Sequence, residues 1–259
     1  MLFSLCHHPD QAPRPLIVFL HGFLGSGEDW TLCLNTLRDY PIVCIDLPGH
    51  GHSQSIHCAD FKTCCDNITA TVSNQFPHQP PIMLVGYSLG ARVAMTGVAQ
   101  GYFSALNIRG LILEGGHFGL SNHTDKRIRL YSDAQWAKRF SNEPMEHVLA
   151  DWYQQPVFDS LNDEQRQSLI RERAVNVGDG VASMLMATTL AKQEALLDWL
   201  VGTDLLVHCI CGEKDRKFRH LIEQCGLAFS RVRHAGHNVH REQPQAFANI
   251  IQSQLLRLF

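Results

Sequence analysis

Nowhere does this 259-residue chain hold an apolar run near the roughly 18 residues that a bilayer span needs. The longest runs, Leu16–Leu20 and Ile82–Val85, are of strand length. The opening stretch Met1-Leu-Phe-Ser-Leu-Cys-His-His-Pro-Asp10 lacks a basic start and a long apolar segment, which argues against a secretory signal. No charge sign dominates: 22 Lys+Arg against 25 Asp+Glu give a net charge of −3, too little to recruit nucleic acid or an anionic membrane. Cys-x-x-Cys pairs are absent, and nine irregularly spaced cysteines suit reduced thiols better than a disulfide framework or a metal site. There is no internal repeat and no low-complexity tract. The expectation is a cytoplasmic protein that acts as a monomer and needs neither metal nor cofactor.

What is present is globular: 45% apolar and 18% charged residues, with a length that fits one large domain or a core plus an insertion. Leu16–Leu20 and Ile42–Ile45 are continuous apolar runs, as strands buried on both faces of a parallel sheet require. Ile82–Val85, Ile108–Leu113, Leu205–Ile210 and Phe229–Val232 complete six expected strands. Helices are expected at about 61–76, 89–100 and 244–256. This alternation predicts a doubly wound α/β sheet. From about Phe118 to Leu200 the pattern turns helical, as in 133–140 and 163–170, with no strand. That predicts a core of 1–117 and 201–259 interrupted by a helical cap, 118–200.

Gly86-Tyr-Ser-Leu-Gly90 matches Gly-x-Ser-x-Gly between a strand and a helix, where a sharp turn lifts Ser88 above the carboxyl edge of the sheet. A serine hydroxyl needs a base, and the base an orienting acid. Downstream, Asp215 follows the fifth strand and His237 the sixth, in the order Ser, Asp, His and on the same edge as Ser88. Asp215 could instead cap the helix that begins near Arg216; Asp204 and Asp46 are weaker rivals, one opening its strand and the other heading a glycine-rich turn. An oxyanion hole would draw one N–H from Leu89, after the serine, and one from Phe23, after His21-Gly22.

Through His21-Gly-Phe23, Asp46-Leu-Pro-Gly-His-Gly51, the serine turn, Gly212-Glu-Lys-Asp215 and Gly236-His237, the chain resembles the α/β-hydrolase superfamily. Val85–Arg92, Glu114-Gly-Gly-His117, Asp151-Trp-Tyr-Gln-Gln-Pro-Val-Phe158 and Ala235–Glu242 resemble, more narrowly, the 2-succinyl-6-hydroxy-2,4-cyclohexadiene-1-carboxylate synthases of menaquinone biosynthesis. That resemblance implies an α/β-hydrolase fold and a cofactor-free lyase that eliminates pyruvate from an enolpyruvyl cyclohexene. Ser88 would abstract a carbon-bound proton, His237 accept it, Asp215 orient His237, and the oxyanion hole hold the developing enolate.

The implied substrate is a small polycarboxylate, which calls for arginines in an otherwise apolar pocket. Arg92, four residues past Ser88 on the same helix face, is the first. Arg129 and Arg173 match the family's cap arginines, with Arg127 and Arg171 as alternatives, and Trp152 and Tyr87 would supply aromatic wall. The cap carries no excess positive charge, nine Lys+Arg against twelve Asp+Glu from His117 to Leu200, so selectivity would rest on a few placed side chains. A serine hydrolase for a carboxylated ester or thioester is the second reading, and a silent binding module the third.

Overall fold

A computed structural model of the protein describes residues 1–8 and 14–259, so that 9–13 of the expected core lie outside it. The strands are β1 Ser4–His7, β2 Leu16–Leu20, β3 Ile42–Ile45, β4 Ile82–Tyr87, β5 Ile108–Glu114, β6 Leu206–Gly212 and β7 Ala228–Val232. The helices are α1 Thr31–Leu34, α2 Phe61–Gln75, α3 Leu89–Ala99, α4 His123–Asn142, α5 Met145–Trp152, α6 Asp163–Arg173, α7 Gly178–Ala187, α8 Leu197–Gly202, α9 Arg216–Glu223, α10 Val239–Glu242 and α11 Pro244–Leu258. Among the described residues no helix is long and apolar enough to cross a membrane.

The strands form one sheet in the order β1-β3-β2-β4-β5-β6-β7, parallel throughout except for β1. β1 is a strand that hydrophobic patterning did not signal. It is short, only partly buried and holds a polar Ser4 and His7, and its place comes from antiparallel pairing with β3, Ser4 opposite Ile45. Parallel pairing needs crossovers, which cover both faces with helices and demand side chains apolar on both sides. Every residue of β2, β3 and β4 is buried. Successive residues accordingly serve opposite cores: Leu16, Val18 and Leu20 pack with α2 and α3, while Ile17 and Phe19 pack with Trp30 and Phe247.

Between β5 and β6 the chain leaves the sheet for α4 to α8. Of these, α4 to α7 bury an apolar cluster of their own, with Phe140, Val148, Leu149, Leu169, Ile170 and Leu185 packed together. Leu24, just past β2, joins that cluster, so the helical segment sits directly over the carboxyl edge of the sheet. Caps fix its helices: Asn122 accepts from Thr124 N at 2.7 Å, and Asn162 and Gln165 form a reciprocal capping box at the start of α6.

Candidate active site

At the end of β4 the backbone turns so sharply into α3 that Ser88 adopts φ 49° and ψ −103°. A non-glycine residue held there stores about 1–3 kcal/mol of strain. Its neighbours must be glycine: a Cβ on Gly86 would meet the Ala91 nitrogen at 2.5 Å, and one on Gly90 would collide with the Leu20 carbonyl. The turn is pinned from β5, where the Glu114 carbonyl accepts from Ser88 N at 2.7 Å.

The loop after β7 carries His237, whose Nδ1 donates to Asp215 Oδ2 at 2.6 Å. Both groups are buried, and the imidazole lies between the rings of Phe218 and Tyr87, at 4.8 and 5.2 Å. Asp215 bonds His237 and caps α9 at once, since its other oxygen accepts from Phe218 N at 3.2 Å. The bond to Asp215 leaves Nε2 as the imidazole's proton acceptor. Ser88 and His237 border the same lobe of the cleft, but among the described residues no hydrogen bond joins them.

The backbone N–H groups of Phe23 and Leu89 donate to no protein acceptor among the described residues. Around Phe23 the backbone is held close: a Cβ on Gly22 would meet the Tyr87 ring at 2.5 Å. His21 secures this loop, with Nδ1 donating to Gly22 O at 2.7 Å and Nε2 accepting from Leu47 N at 2.9 Å. Burial pushes His21 down to about 4, so the ring is neutral in both roles.

The cleft has two lobes that share Phe23, Ser88, Arg129, Trp152, Lys217 and Phe218. The inner lobe, about 100 Å³, adds Leu89, Arg92, His117, Leu185 and Thr188. The outer lobe, about 400 Å³, adds Tyr87, Gln155, Phe158 and His237. Arg92 is buried, yet it finds only neutral acceptors, Thr188 O at 2.6 Å and Gln193 Oε1 at 3.5 Å. Burial, with repulsion from Arg129, pushes its guanidinium down to about 9, as befits a cation short of a counterion. Arg129 lines both lobes, and its Nε donates to both carboxylate oxygens of buried Asp133, at 2.8 and 2.9 Å, whereas Arg127 is exposed. Trp152 packs on Phe23 at 5.2 Å, and the Tyr87 hydroxyl binds Asn238.

Arg173 is the correction. The structure places it outside both lobes, in an ion pair with buried Asp29 at 2.5 Å, and Arg241 approaches the same oxygen at 3.1 Å. Its helix face turns toward the loop after β2, and a carboxylate waiting there satisfies the cation. Arg171 is exposed and does not take its place.

Among the cleft residues that the sequence reading did not assign to the site, His117, Lys217 and Phe218 line the inner lobe. His117 accepts from Gly119 N at 3.1 Å through Nδ1, which puts its proton on Nε2. Burial, with Lys217, Arg92 and Arg129 nearby, lowers it to about 4, so it is neutral. His117 and Lys217 each follow a strand's carboxyl end within three to five residues, the one signal that could have marked them.

Residues 17–250 match the model of the alpha/beta hydrolase family, to which this chain belongs, as its sheet and serine turn require. The chain is 42% identical over 246 residues, 95% of its length and 87% of the relative's, to 2-succinyl-6-hydroxy-2,4-cyclohexadiene-1-carboxylate synthase from Photorhabdus laumondii. Against the enzyme of that name from Serratia proteamaculans it is 40% identical over 99% of both chains. Within the larger family it therefore belongs with the 2-succinyl-6-hydroxy-2,4-cyclohexadiene-1-carboxylate synthases. In fold it is similar to MenH from S. aureus, with a TM-score of 0.87 at 24% identity over 99% of both chains. It also resembles an esterase from Thermogutta terrifontis, with a TM-score of 0.80 at 19% identity over 99% of this chain and 93% of the other.

Proposed function

We propose that this protein is a carbon–oxygen lyase that eliminates pyruvate from 2-succinyl-5-enolpyruvyl-6-hydroxy-3-cyclohexene-1-carboxylate in menaquinone biosynthesis, working as a cytoplasmic monomer without metal or cofactor. The observation that carries the reading is Arg92: a buried guanidinium with no carboxylate partner, four residues past Ser88 in the inner lobe. Such a charge is costly unless a ligand supplies the counterion, and a neutral ester would leave it unpaired.

In this mechanism a substrate carboxylate pairs with Arg92 and Arg129 in the inner lobe, which sets the succinyl ketone against the N–H groups of Phe23 and Leu89. Ser88, relieved of its proton by His237 Nε2, removes the proton of the ring carbon that bears the succinyl group, alpha to its ketone. The electron pair forms a double bond to the next ring carbon, the existing ring double bond shifts one position, and the carbon–oxygen bond breaks at its far end, so that pyruvate departs as its enolate. Negative charge that builds on the ketone oxygen during proton removal is held by the two amides, each worth on the order of 10²–10³ in rate. Asp215 keeps the imidazole in the tautomer that accepts at Nε2. The contact between Ser88 and His237 closes when substrate fills the cleft, since catalytic hydrogen bonds often tighten only in the bound complex. Helices α4 to α7 act as the cap that keeps water from the enolate.

The test is continuous detection of pyruvate from the enolpyruvyl substrate. Ser88→Ala is expected to lower kcat about 10²–10⁴-fold, the usual contribution of a positioned acid–base group. Wild-type protein that releases no pyruvate but turns over activated esters through an acyl-enzyme would refute the lyase reading.

A further inference from the structure

Arg173 was the third cation expected around the substrate, and Asp29 has claimed it. A different cation reaches the cleft. Lys217 lies two residues past Asp215, in the first turn of α9, and lines the inner lobe, the outer lobe and the basin outside them. Its Nζ sits 5.6 Å from the Phe218 ring centroid, and among the described residues it forms no salt bridge and donates no hydrogen bond.

We propose that Lys217 is a specificity-determining residue that pairs with a substrate carboxylate at the junction of the two lobes, in the role the sequence gave to Arg173. The inference rests on the lyase reading and adds a residue to it. Three cations, Arg92, Arg129 and Lys217, border the inner lobe around His117. The carboxylates near them are already engaged: Asp133 holds Arg129, and Asp215 holds His237 and caps α9. The empty cleft is thus left with two cations that have no carboxylate within salt-bridge distance, and Lys217 stands between the repulsion of Arg129 and the attraction of Asp215. A dianionic ligand removes both deficits, with Arg92 at its buried end and Lys217 at its outer end.

The division of labour follows from burial. Arg92 is sealed inside the inner lobe, a fixed planar donor, whereas Lys217 is an exposed residue at the mouth of the cleft. A compact charge on a flexible stem can meet an arriving carboxylate and follow it inward. Lys214, Arg216 and Arg219 line only the outer basin, beside Asp159, Glu213 and Asp215, so that basin is of mixed charge and Lys217 is the lysine that reaches the lobes. A lysine that served only solubility would have no reason to lie against Phe218 and line both of the lobes that Ser88 borders.

The experiment measures pyruvate release by wild type, Lys217→Gln, Lys217→Arg and, as a control for surface charge, Lys214→Gln, with thermal unfolding of each. Lys217→Gln is expected to raise KM ten- to a hundredfold, as loss of a charge-assisted bond does, with kcat within about threefold. Lys217→Arg should recover most of the loss, and Lys214→Gln should stay within about twofold of wild type. Because Lys217 stands at the mouth of the cleft, salt screens its attraction for an arriving carboxylate, and wild-type KM should rise with ionic strength more steeply than that of Lys217→Gln. A KM for Lys217→Gln within twofold of wild type at unchanged stability overturns the proposal. If wild type releases no pyruvate, the lyase reading fails on its own. The role of Lys217 is then read from calorimetric binding of 2-succinylbenzoate, an aromatic dicarboxylate with the same succinyl and ring carboxylates. A tenfold or greater weakening in Lys217→Gln supports the pairing, and equal affinity overturns it.

Discussion

Replacing Arg92 by methionine separates a ligand-pairing arginine from one that merely ties two helices. The side chain fills the inner lobe with much of its volume kept, so the perturbation is the loss of charge and donors. Two opposed effects act on stability. Thr188 O loses a donor at 2.6 Å, and a buried acceptor left unpaired costs about 1–3 kcal/mol. Against this, the fold no longer buries a cation without a carboxylate, and replacing buried charge by well-packed apolar groups is often neutral or stabilising by about 1–4 kcal/mol. The two offset to within about 1 kcal/mol, so Tm should move by only about 2–4 °C. Binding has no such offset. A charge-assisted bond of about 1.5–3 kcal/mol disappears, and at about 1.4 kcal/mol per factor of ten kcat/KM on the enolpyruvyl substrate should fall about ten- to a hundredfold. Pyruvate release and calorimetric Tm, measured on one preparation, decide it. Efficiency within twofold of wild type together with a Tm lowered by more than about 10 °C would refute the reasoning, because Arg92 would then be a strut to Thr188.

Gly115→Ala should be severe, since Gly115 holds φ +58° and its Cβ would stand 2.6 Å from His237 Cε1; displacing the imidazole by about 1 Å can cost on the order of a hundredfold in kcat. Steady-state kinetics beside a circular dichroism spectrum will show whether activity falls without loss of fold. Arg173→Met should lower stability by about 3 kcal/mol, the low end for breaking a buried ion pair because Arg241 still reaches Asp29, and chemical denaturation measures it. Acid should unfold the protein early. Burial holds His21 down to about 4 and His50 to about 3, so below the ordinary 6.5 the unfolded chain takes up protons that the native state refuses. Stability should therefore fall as pH drops from 6.5 toward 4, by about 1.4 kcal/mol per pH unit for each of the two, and a flat urea midpoint across that range would contradict it.

Strand periodicity carried a long way because parallel strands advertise themselves. Leu16–Leu20 and Ile42–Ile45 are apolar on both faces and appear in the sheet with those same ends. β1 carried no such signal, for Ser4-Leu-Cys-His7 is half-exposed and becomes a strand only when β3 offers its edge. The serine turn was visible as a local string since its demands are local: glycines at 86 and 90 answer clashes within a few residues or against the neighbouring strand.

Contacts between distant residues were another matter. No spacing announces that Asp215 will both cap α9 and accept from His237, or that Ser88 and His237 share a lobe without a bond between them. The arginines divide along the same line. The family resemblance supplied Arg129 and Arg173 as candidates and helix spacing supplied Arg92, but an arginine on a helix pairs with whichever carboxylate the packing brings within reach. Packing gave Asp133 to Arg129 and Asp29 to Arg173, and left Arg92 and Lys217 without carboxylate partners at the cleft. Patterns of apolar residues thus determined the layers, and the glycines the turn, because burial patterning and turn sterics are written in short stretches of the chain. Which charges remained free for a ligand was decided only by the folded structure, because an ion pair depends on distance in space.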